Sequence, residues 1–172
     1  MDLGSVERIT ADAIGEPGAR VFYLQARGTE LVTVIVEKQQ VQLLAASVLE
    51  LLTTLELETG AGPADEAMAL EEPFEPRWRA GRLSLGYEQD RDRFLVEIEE
   101  FVPELEADDP RAAELTDAEK IRVWATREQM VAFARYGSAV AAQGRPLCQF
   151  CGNPISPEGH VCVAMNGHAK HE

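Results

Sequence analysis

The residues best suited to chemistry lie at the end of the chain, in the segment CQFCGNPISPEGHVCVAMNGH from Cys148 to His168. All three cysteines of the protein and two of its three histidines fall within it. Cys148 and Cys151 are two residues apart and are followed by a glycine, as in a zinc knuckle. In such a knuckle two thiolates clamp one ion, and the glycine lets the backbone turn tightly beside them. The segment therefore predicts a zinc site.

The other half of this site has one clear ligand and one open choice. Cys162 is the expected third ligand, and a histidine is needed to complete the tetrahedron of structural zinc sites. His160 and Cys162 would point to the same side of a strand. His168 would reach the ion if the chain turned at the preceding residues MNG. We prefer His168 as the fourth ligand, and His160 remains the alternative, with a supporting or surface role otherwise.

The predicted zinc is structural rather than catalytic. Catalytic zinc commonly has three protein ligands and an open position for water, whereas this segment offers five candidates, of which three are thiolates that lower the Lewis acidity of the ion. Metal binding supplies roughly 10 kcal/mol or more in small zinc peptides, enough to fold a segment too short for its own core. We therefore expect a zinc-binding tail, residues 147–172, on a core domain of residues 1–146, and a tail that is disordered without metal.

Three arginines around Trp78 form the second candidate site. Arg77, Arg79 and Arg82 lie in the segment PRWRAGR. Their forked donors, with a stacking surface beside them, suit a phosphate or another small anion. The alternative interpretation is an exposed strand whose arginines pair with the acidic block at residues 97–119. Neither a nucleotide-binding glycine pattern nor a nucleophile elbow accompanies them, so no catalytic residue is assigned.

The length and composition of the chain predict a protein that has one main core and does not insert into a membrane. The chain has 172 residues and 45% hydrophobic content, and its apolar runs are far shorter than a membrane span. Its start lacks the order of regions of a secretion signal, so we expect a cytoplasmic protein, in a compartment where clustered thiols more often hold metal than form disulfides. The net charge of −14 argues against nucleic acid as a partner, because phosphate backbones attract lysine and arginine.

Residue periodicity predicts an α+β fold. Alternation of apolar and polar residues indicates strands at 6–11, 21–27, 31–38, 82–88, 93–101 and 120–125. Steps of three and four between apolar residues indicate helices at 39–57 and 127–143, the second with a capping box formed by Thr126 and Gln129. We expect a mostly antiparallel sheet of about six strands with two helices packed on it. Residues 59–76 are expected to be a loop or partly mobile linker.

The two halves of the core domain echo one another. TVIVEKQQVQLLA at residues 33–45 resembles RVWATREQMVAFA at residues 122–134, since each runs from a strand through a basic residue and a glutamine into an apolar helix. One interpretation is a duplicated unit of three strands and a helix. The other is that any strand-to-helix junction needs polar residues in the first helical turn.

Both ends of the chain also carry a resemblance to a family. GEPGARVFYLQARG at residues 15–28 and LCQFCGNPISPEGHVCVAMNGH at residues 147–168 are the stretches concerned. With them the chain resembles, over nearly its whole length, the actinobacterial family labelled domain of unknown function 3090. The resemblance implies a cytoplasmic actinobacterial protein with a shared cysteine- and histidine-bearing end. It implies no established activity, cofactor or catalytic residue.

These observations leave two hypotheses about function. The first is a non-enzymatic, zinc-stabilised binding or adaptor protein that presents the arginine-bearing hairpin or the zinc tail to a protein partner. The alternative is a small enzyme or sensor that binds a phosphorylated or anionic substrate through Arg77, Arg79 and Arg82, beside the 59–76 loop. The alternative requires a concave pocket where cations meet, whereas an adaptor requires an exposed patch of interface size.

Overall fold

A computed structural model describes residues 1–16, 18–103, 108, 110 and 118–143 of the chain. It confirms the predicted α+β fold with two helices. The strands are β1 (Asp2–Ser5), β2 (Arg8–Ile14), β3 (Val21–Arg27), β4 (Leu31–Val36), β5 (Pro76–Glu88), β6 (Arg93–Glu100) and β7 (Lys120–Ala125). The helices are α1 (Lys38–Thr54) and α2 (Arg127–Ala142), with a short 3-10 turn at Asp65–Ala67. Among the described residues, no helix has the length and apolar character needed to cross a membrane.

The strands form one mixed sheet in the order β1-β7-β6-β5-β4-β3-β2. The pairs β1/β7 and β4/β5 are parallel, and the other neighbouring strands pair antiparallel. The expectation of about six mostly antiparallel strands is therefore corrected to seven strands in a mixed sheet. β1 was missed because it has only four residues and contains Gly4 in a left-handed conformation, which leaves no alternating pattern to read.

The sheet bends until its two edges share one segment of chain. β1 and β2 are separated by only Val6 and Glu7, yet β1 pairs with β7 and β2 pairs with β3. The amide of Val6 donates to the carbonyl of Trp124 at 2.8 Å, and the amide of Glu7 donates to the carbonyl of Arg27 at 2.8 Å. Both edges of the sheet are therefore connected through this two-residue segment.

One face of the sheet and the two helices enclose the core. The inward residues of β6 and β7 are essentially inaccessible to solvent, as are those of β2 to β4. Helix α2 packs on α1 and β2, and Gly137 allows a close contact with α1, because an added methyl group there would lie 3.1 Å from Val41. Burial of each large apolar side chain here contributes about 1.5–3 kcal/mol. The core therefore fixes both helices to the sheet and sets the positions of the surface features below.

Helix α2 begins with the capping box that the sequence predicts. The amide of Gln129 donates to Oγ1 of Thr126 at 3.0 Å, and Oε1 of Gln129 accepts from the amide of Thr126 at 2.8 Å. Nε2 of Gln129 also donates to the carbonyl of Val6 at 2.9 Å. The cap therefore anchors the helix to the segment that closes the sheet.

The order of elements after β1 contains three strands and a helix twice. The first set is β2, β3, β4 and α1, and the second is β5, β6, β7 and α2. The two sets lie side by side in the sheet, with β4 next to β5. This order agrees with the duplication hypothesis, which stays a prediction about the origin of the sequence.

The segment at residues 59–75 is a loop, as predicted, but it is fastened to the outer face of the sheet. Met68 is 1% exposed, and its carbonyl accepts a hydrogen bond of 2.6 Å from the buried Oγ1 of Thr10. Gln25 is buried, accepts from the amide of Glu71 at 2.7 Å and donates to Oγ1 of Thr33 at 3.0 Å. Arg8 forms an ion pair with Glu71 at 3.1 Å. The space between this loop and the sheet is therefore filled by the protein itself.

Replacement of Gln25 by leucine is expected to lower the free energy of unfolding by about 2 kcal/mol, because the partly buried amide of Glu71 loses its acceptor and the buried hydroxyl of Thr33 loses its donor. Hydrogen exchange of residues 67–75 should accelerate with it, since Gln25 ties this part of the loop to the sheet. Denaturant unfolding and hydrogen exchange by mass spectrometry measure the two effects. Gln42→Leu, the same change at an exposed position of α1, is the control and should leave both nearly unaltered. Equal effects of the two variants would contradict the proposed role of Gln25.

Candidate functional site

The three predicted arginines all lie on β5 and are exposed, but they do not meet at one point. Arg77 pairs with Glu30 at 3.4 Å and with Glu119 at 3.6 Å. Arg79 pairs with Glu37 at 2.6 Å. Between Ala80 and Arg82, the pairing of β5 with β6 is irregular. Of these ion pairs, only the one with Glu119 matches the alternative interpretation, in which the arginines pair with the acidic block at residues 97–119.

Arg79 instead lies beside cations from other parts of the chain. It lines a pocket of about 440 Å³ together with Arg20, which precedes β3, and Lys38, the first residue of α1. Further lining residues are Phe22, Ile35 and Glu37. We call this the basic pocket. It carries three cationic side chains and one carboxylate, a formal charge of +2, on a protein whose net charge is −14.

Two of the three cations in the basic pocket are held in place by other groups. Nη2 of Arg20 donates to the carbonyl of Val140, in the last turn of α2, at 2.9 Å, and its guanidinium lies 5.1 Å from the ring centroid of Phe22. Arg79 is held by its ion pair with Glu37. Lys38 forms no ion pair or hydrogen bond with the part of the chain that the structure describes. The basic pocket thus combines two fixed guanidinium groups with one free ammonium group, an arrangement able to receive an anion.

A second concave surface separates α1 from β5. It has a volume of about 290 Å³, and we call it the α1–β5 groove. Its sides are Gln40, Leu43, Leu44 and Ser47 of α1 and Arg82, Leu83 and Leu85 of β5. Leu43 is 69% exposed although it is a large aliphatic side chain. Such exposure in a concave apolar surface is typical of sites that contact another molecule.

A hydrogen-bonded trio lies at the far end of β5. The hydroxyl of Tyr87 donates to Oδ1 of Asp92 at 2.6 Å, and Nε of Arg127 donates to the same oxygen at 2.8 Å. The bond from Tyr87 is the main cause that lowers the pKa of Asp92, and the same bond raises the pKa of Tyr87. The hydrogen bond with Asp92 raises the pKa of Arg127. All three groups therefore keep their usual charge near neutral pH, and the trio joins the β5–β6 turn to the start of α2.

Other shifted groups have structural explanations. Burial raises the pKa of Tyr136 to about 12. Asp12 contributes further to this rise, and its carboxylate accepts a hydrogen bond of 3.0 Å from the Tyr136 hydroxyl. Burial is also the main cause that lowers the pKa of Arg8, and the neighbouring carboxylate of Glu71 opposes it. Arg8 donates to the carbonyls of Ala67 and Ala69 as well, so its role is to hold the loop.

The predicted zinc ligands Cys148, Cys151, His160, Cys162 and His168 all lie outside the described residues. Within residues 1–16, 18–103 and 118–143, no group of three or more histidine, cysteine, aspartate or glutamate side chains is arranged to hold a metal ion. The zinc site thus stays a prediction based on the sequence.

Comparison with known proteins gives one match. The model of a family described as Protein of unknown function (DUF3090) matches residues 1–162. The chain belongs to the DUF3090 family. No curated protein and no solved structure matches the chain. The family assignment confirms the resemblance found in the sequence.

Sequence reasoning found one of the three cations in the basic pocket of this DUF3090 protein. Arg79 was a candidate, whereas Arg20 and Lys38 were not. Arg20 does lie within the stretch GEPGARVFYLQARG that carried the resemblance, and Gly18 and Phe22 of the same stretch also line the pocket. Lys38 gave no signal, because a lysine at the start of a helix is an ordinary surface residue.

Proposed function

We propose that this DUF3090 protein is a non-enzymatic binding or adaptor protein that receives a peptide segment of a protein partner in the α1–β5 groove. The observation that carries the proposal is the exposure of Leu43 above the half-buried Leu83 and Leu85. These three side chains leave apolar surface in contact with water at the bottom and rim of a concave site. Covering it by apolar side chains of a partner is favourable by about 25 cal/mol per Å² of buried area.

The polar rim of the groove indicates the chemistry of the partner. The polar side chains at the groove are those of Gln40 and Ser47. Side chains alternate along β5, so Arg82 lies with Ser84 on the other face of the sheet from Leu83 and Leu85, beside Glu97 and Glu99. The partner segment should therefore combine apolar side chains with neutral polar groups that can pair with an amide and a hydroxyl. The volume of about 290 Å³ suits a few side chains, since pockets for drug-sized ligands begin at about 300 Å³. The groove therefore resembles sites that read short peptide motifs.

Selection from a random peptide library displayed on phage tests this proposal. We expect the wild-type protein to enrich peptides with apolar anchors and neutral polar residues. Leu43→Asp should weaken binding of the selected peptides at least about tenfold, because it places a charge where apolar side chains of the peptide would cover Leu43. Affinities can be measured by fluorescence anisotropy with labelled synthetic peptides.

The matched control for this experiment is Leu49→Asp. Leu49 is also on α1 and 51% exposed, but it lies outside the groove. Both variants place aspartate in the same helix, so their effects on helix stability should be similar. If no peptide is enriched, or if both variants lose binding equally, the groove is not the site of the partner.

We also propose that the tail of this protein is held by one structural zinc ion. Cys148, Cys151 and Cys162 would supply three thiolates, and His168, or else His160, an imidazole. What supports the proposal is the donor set, since thiolates and imidazole in knuckle spacing are the ligands that zinc prefers. In this arrangement zinc does no chemistry on a substrate. It supplies the folding energy of the segment that follows α2.

A further inference from the structure

We infer that the basic pocket is a binding site for a small phosphate monoester, distinct from the α1–β5 groove. Arg20, Lys38 and Arg79 would contact the phosphate group, and the apolar residues beside them would contact the organic part. The inference rests on the residues that line this one pocket. It does not depend on the proposed peptide partner. Of the three cations, only Arg79 lies on β5, the strand that supplies groove residues, and Arg79 does not line the groove.

The charge of the basic pocket is the first argument. Three cations around one carboxylate give a local formal charge of +2, whereas the whole chain carries −14. Like charges placed together are unfavourable unless an anion or solvent offsets them. Glu37 offsets one of the three through its ion pair with Arg79. The remaining charge of +2 matches the nearly dianionic state of a phosphate monoester near pH 7.

The donors of the pocket are the second argument. A phosphate group presents three peripheral oxygens, each able to accept charge-assisted hydrogen bonds. Arg20 and Arg79 offer planar forks of donors, which match phosphate oxygens in pairs, and Lys38 offers a mobile ammonium group. Arg20 is already oriented by the carbonyl of Val140 and by the ring of Phe22. Less side-chain entropy is therefore lost when an anion binds.

The size and walls of the pocket indicate a phosphate that carries an organic group. A volume of about 440 Å³ exceeds the space that inorganic phosphate needs and lies within the range of small-molecule sites. Val21, Ile35 and Val36 line it together with the cations, and Val21 is 41% exposed. An apolar substituent on the phosphate would cover this surface. The pocket thus fits an organic phosphate better than the free ion.

Calorimetric titration of the full chain with phenyl phosphate, inorganic phosphate and phenol tests the inference. We expect saturable binding of phenyl phosphate, weaker binding of inorganic phosphate, and no binding of phenol. Lys38→Gln should weaken phenyl phosphate binding about tenfold, the effect of losing one charge-assisted hydrogen bond. Affinity should also fall between about 50 mM and 500 mM salt, because part of the attraction is screened.

Glu37→Gln makes the test independent of folding. This change removes the one carboxylate of the basic pocket and releases Arg79 from the ion pair that competes with a bound anion. It should therefore tighten phenyl phosphate binding by a few-fold, a gain that a misfolded protein would not show. Lys120→Gln, which removes a cation paired with Glu99 outside the pocket, is the matched control and should leave affinity unchanged. Absence of saturable binding, or equal losses in Lys38→Gln and Lys120→Gln, would overturn the inference. Equal affinity for phenyl phosphate and inorganic phosphate would overturn the assignment of an ester.

Discussion

Replacement of Gly28 by alanine is expected to lower the free energy of unfolding by about 2–3 kcal/mol, as overpacking of a rigid site does. A methyl group on Gly28 would clash with the carbonyl oxygen of Leu3 and lie 3.1 Å from its carbonyl carbon. These are backbone atoms of β1, and Leu3 is 1% exposed, so neither side can move without cost. The turn after β3 and strand β1 must separate, which strains the segment that joins both edges of the sheet.

Denaturant unfolding of Gly28→Ala and of a matched control measures this effect. Gly86→Ala adds the same methyl group on β5, where no atom lies within 4 Å of it, so it should change stability by less than about 0.5 kcal/mol. Hydrogen exchange should show the local consequence. The amide of Val6, which donates to the carbonyl of Trp124, should exchange faster in Gly28→Ala and not in Gly86→Ala. Similar stabilities of the two variants would mean that β1 does not approach Gly28 as closely as the structure indicates.

Loss of zinc from Cys162→Ser is the second large effect that we expect. The wild-type protein should contain about one equivalent of zinc, and the variant close to none, because a tetrahedral structural site lacks a strong ligand when one thiolate is removed. Only one of His160→Ala and His168→Ala should lose zinc to a similar degree, and we expect that variant to be His168→Ala. Elemental analysis of the purified proteins by mass spectrometry gives these contents directly.

His171→Ala is the control for the zinc prediction, since it removes an imidazole from the same tail without removing an expected ligand. A chelator should make residues 147–172 of the wild-type protein sensitive to protease while the core domain stays resistant, because the binding energy of the metal is the folding energy of the tail. Zinc retained by Cys162→Ser, or absent from the wild type, would remove the proposed site. The core fold and the basic pocket would not be affected by that result.

Local periodicity determined most of the secondary structure of this protein. The boundaries of β3 and β7 agree with the sequence prediction, and both helices begin within a residue of their predicted starts at residues 39 and 127. The capping box of Thr126 and Gln129 was also readable, because it depends on two side chains three residues apart. Such features are encoded by neighbours in sequence and need no tertiary contact to be recognised.

The tertiary structure decided which distant segments come together. The pairing of β1 with β7 and the parallel pairing of β4 with β5 depend on contacts between residues far apart in the chain. Periodicity carries no information about such contacts. The same holds for the basic pocket, where Arg20, Lys38 and Arg79 come from three separate parts of the chain. The sequence by itself determined that an arginine-bearing strand and a cysteine-rich tail exist. Only the packing of the sheet could decide which cations share a pocket, because long-range strand pairing is set by the burial of whole faces rather than by any local pattern.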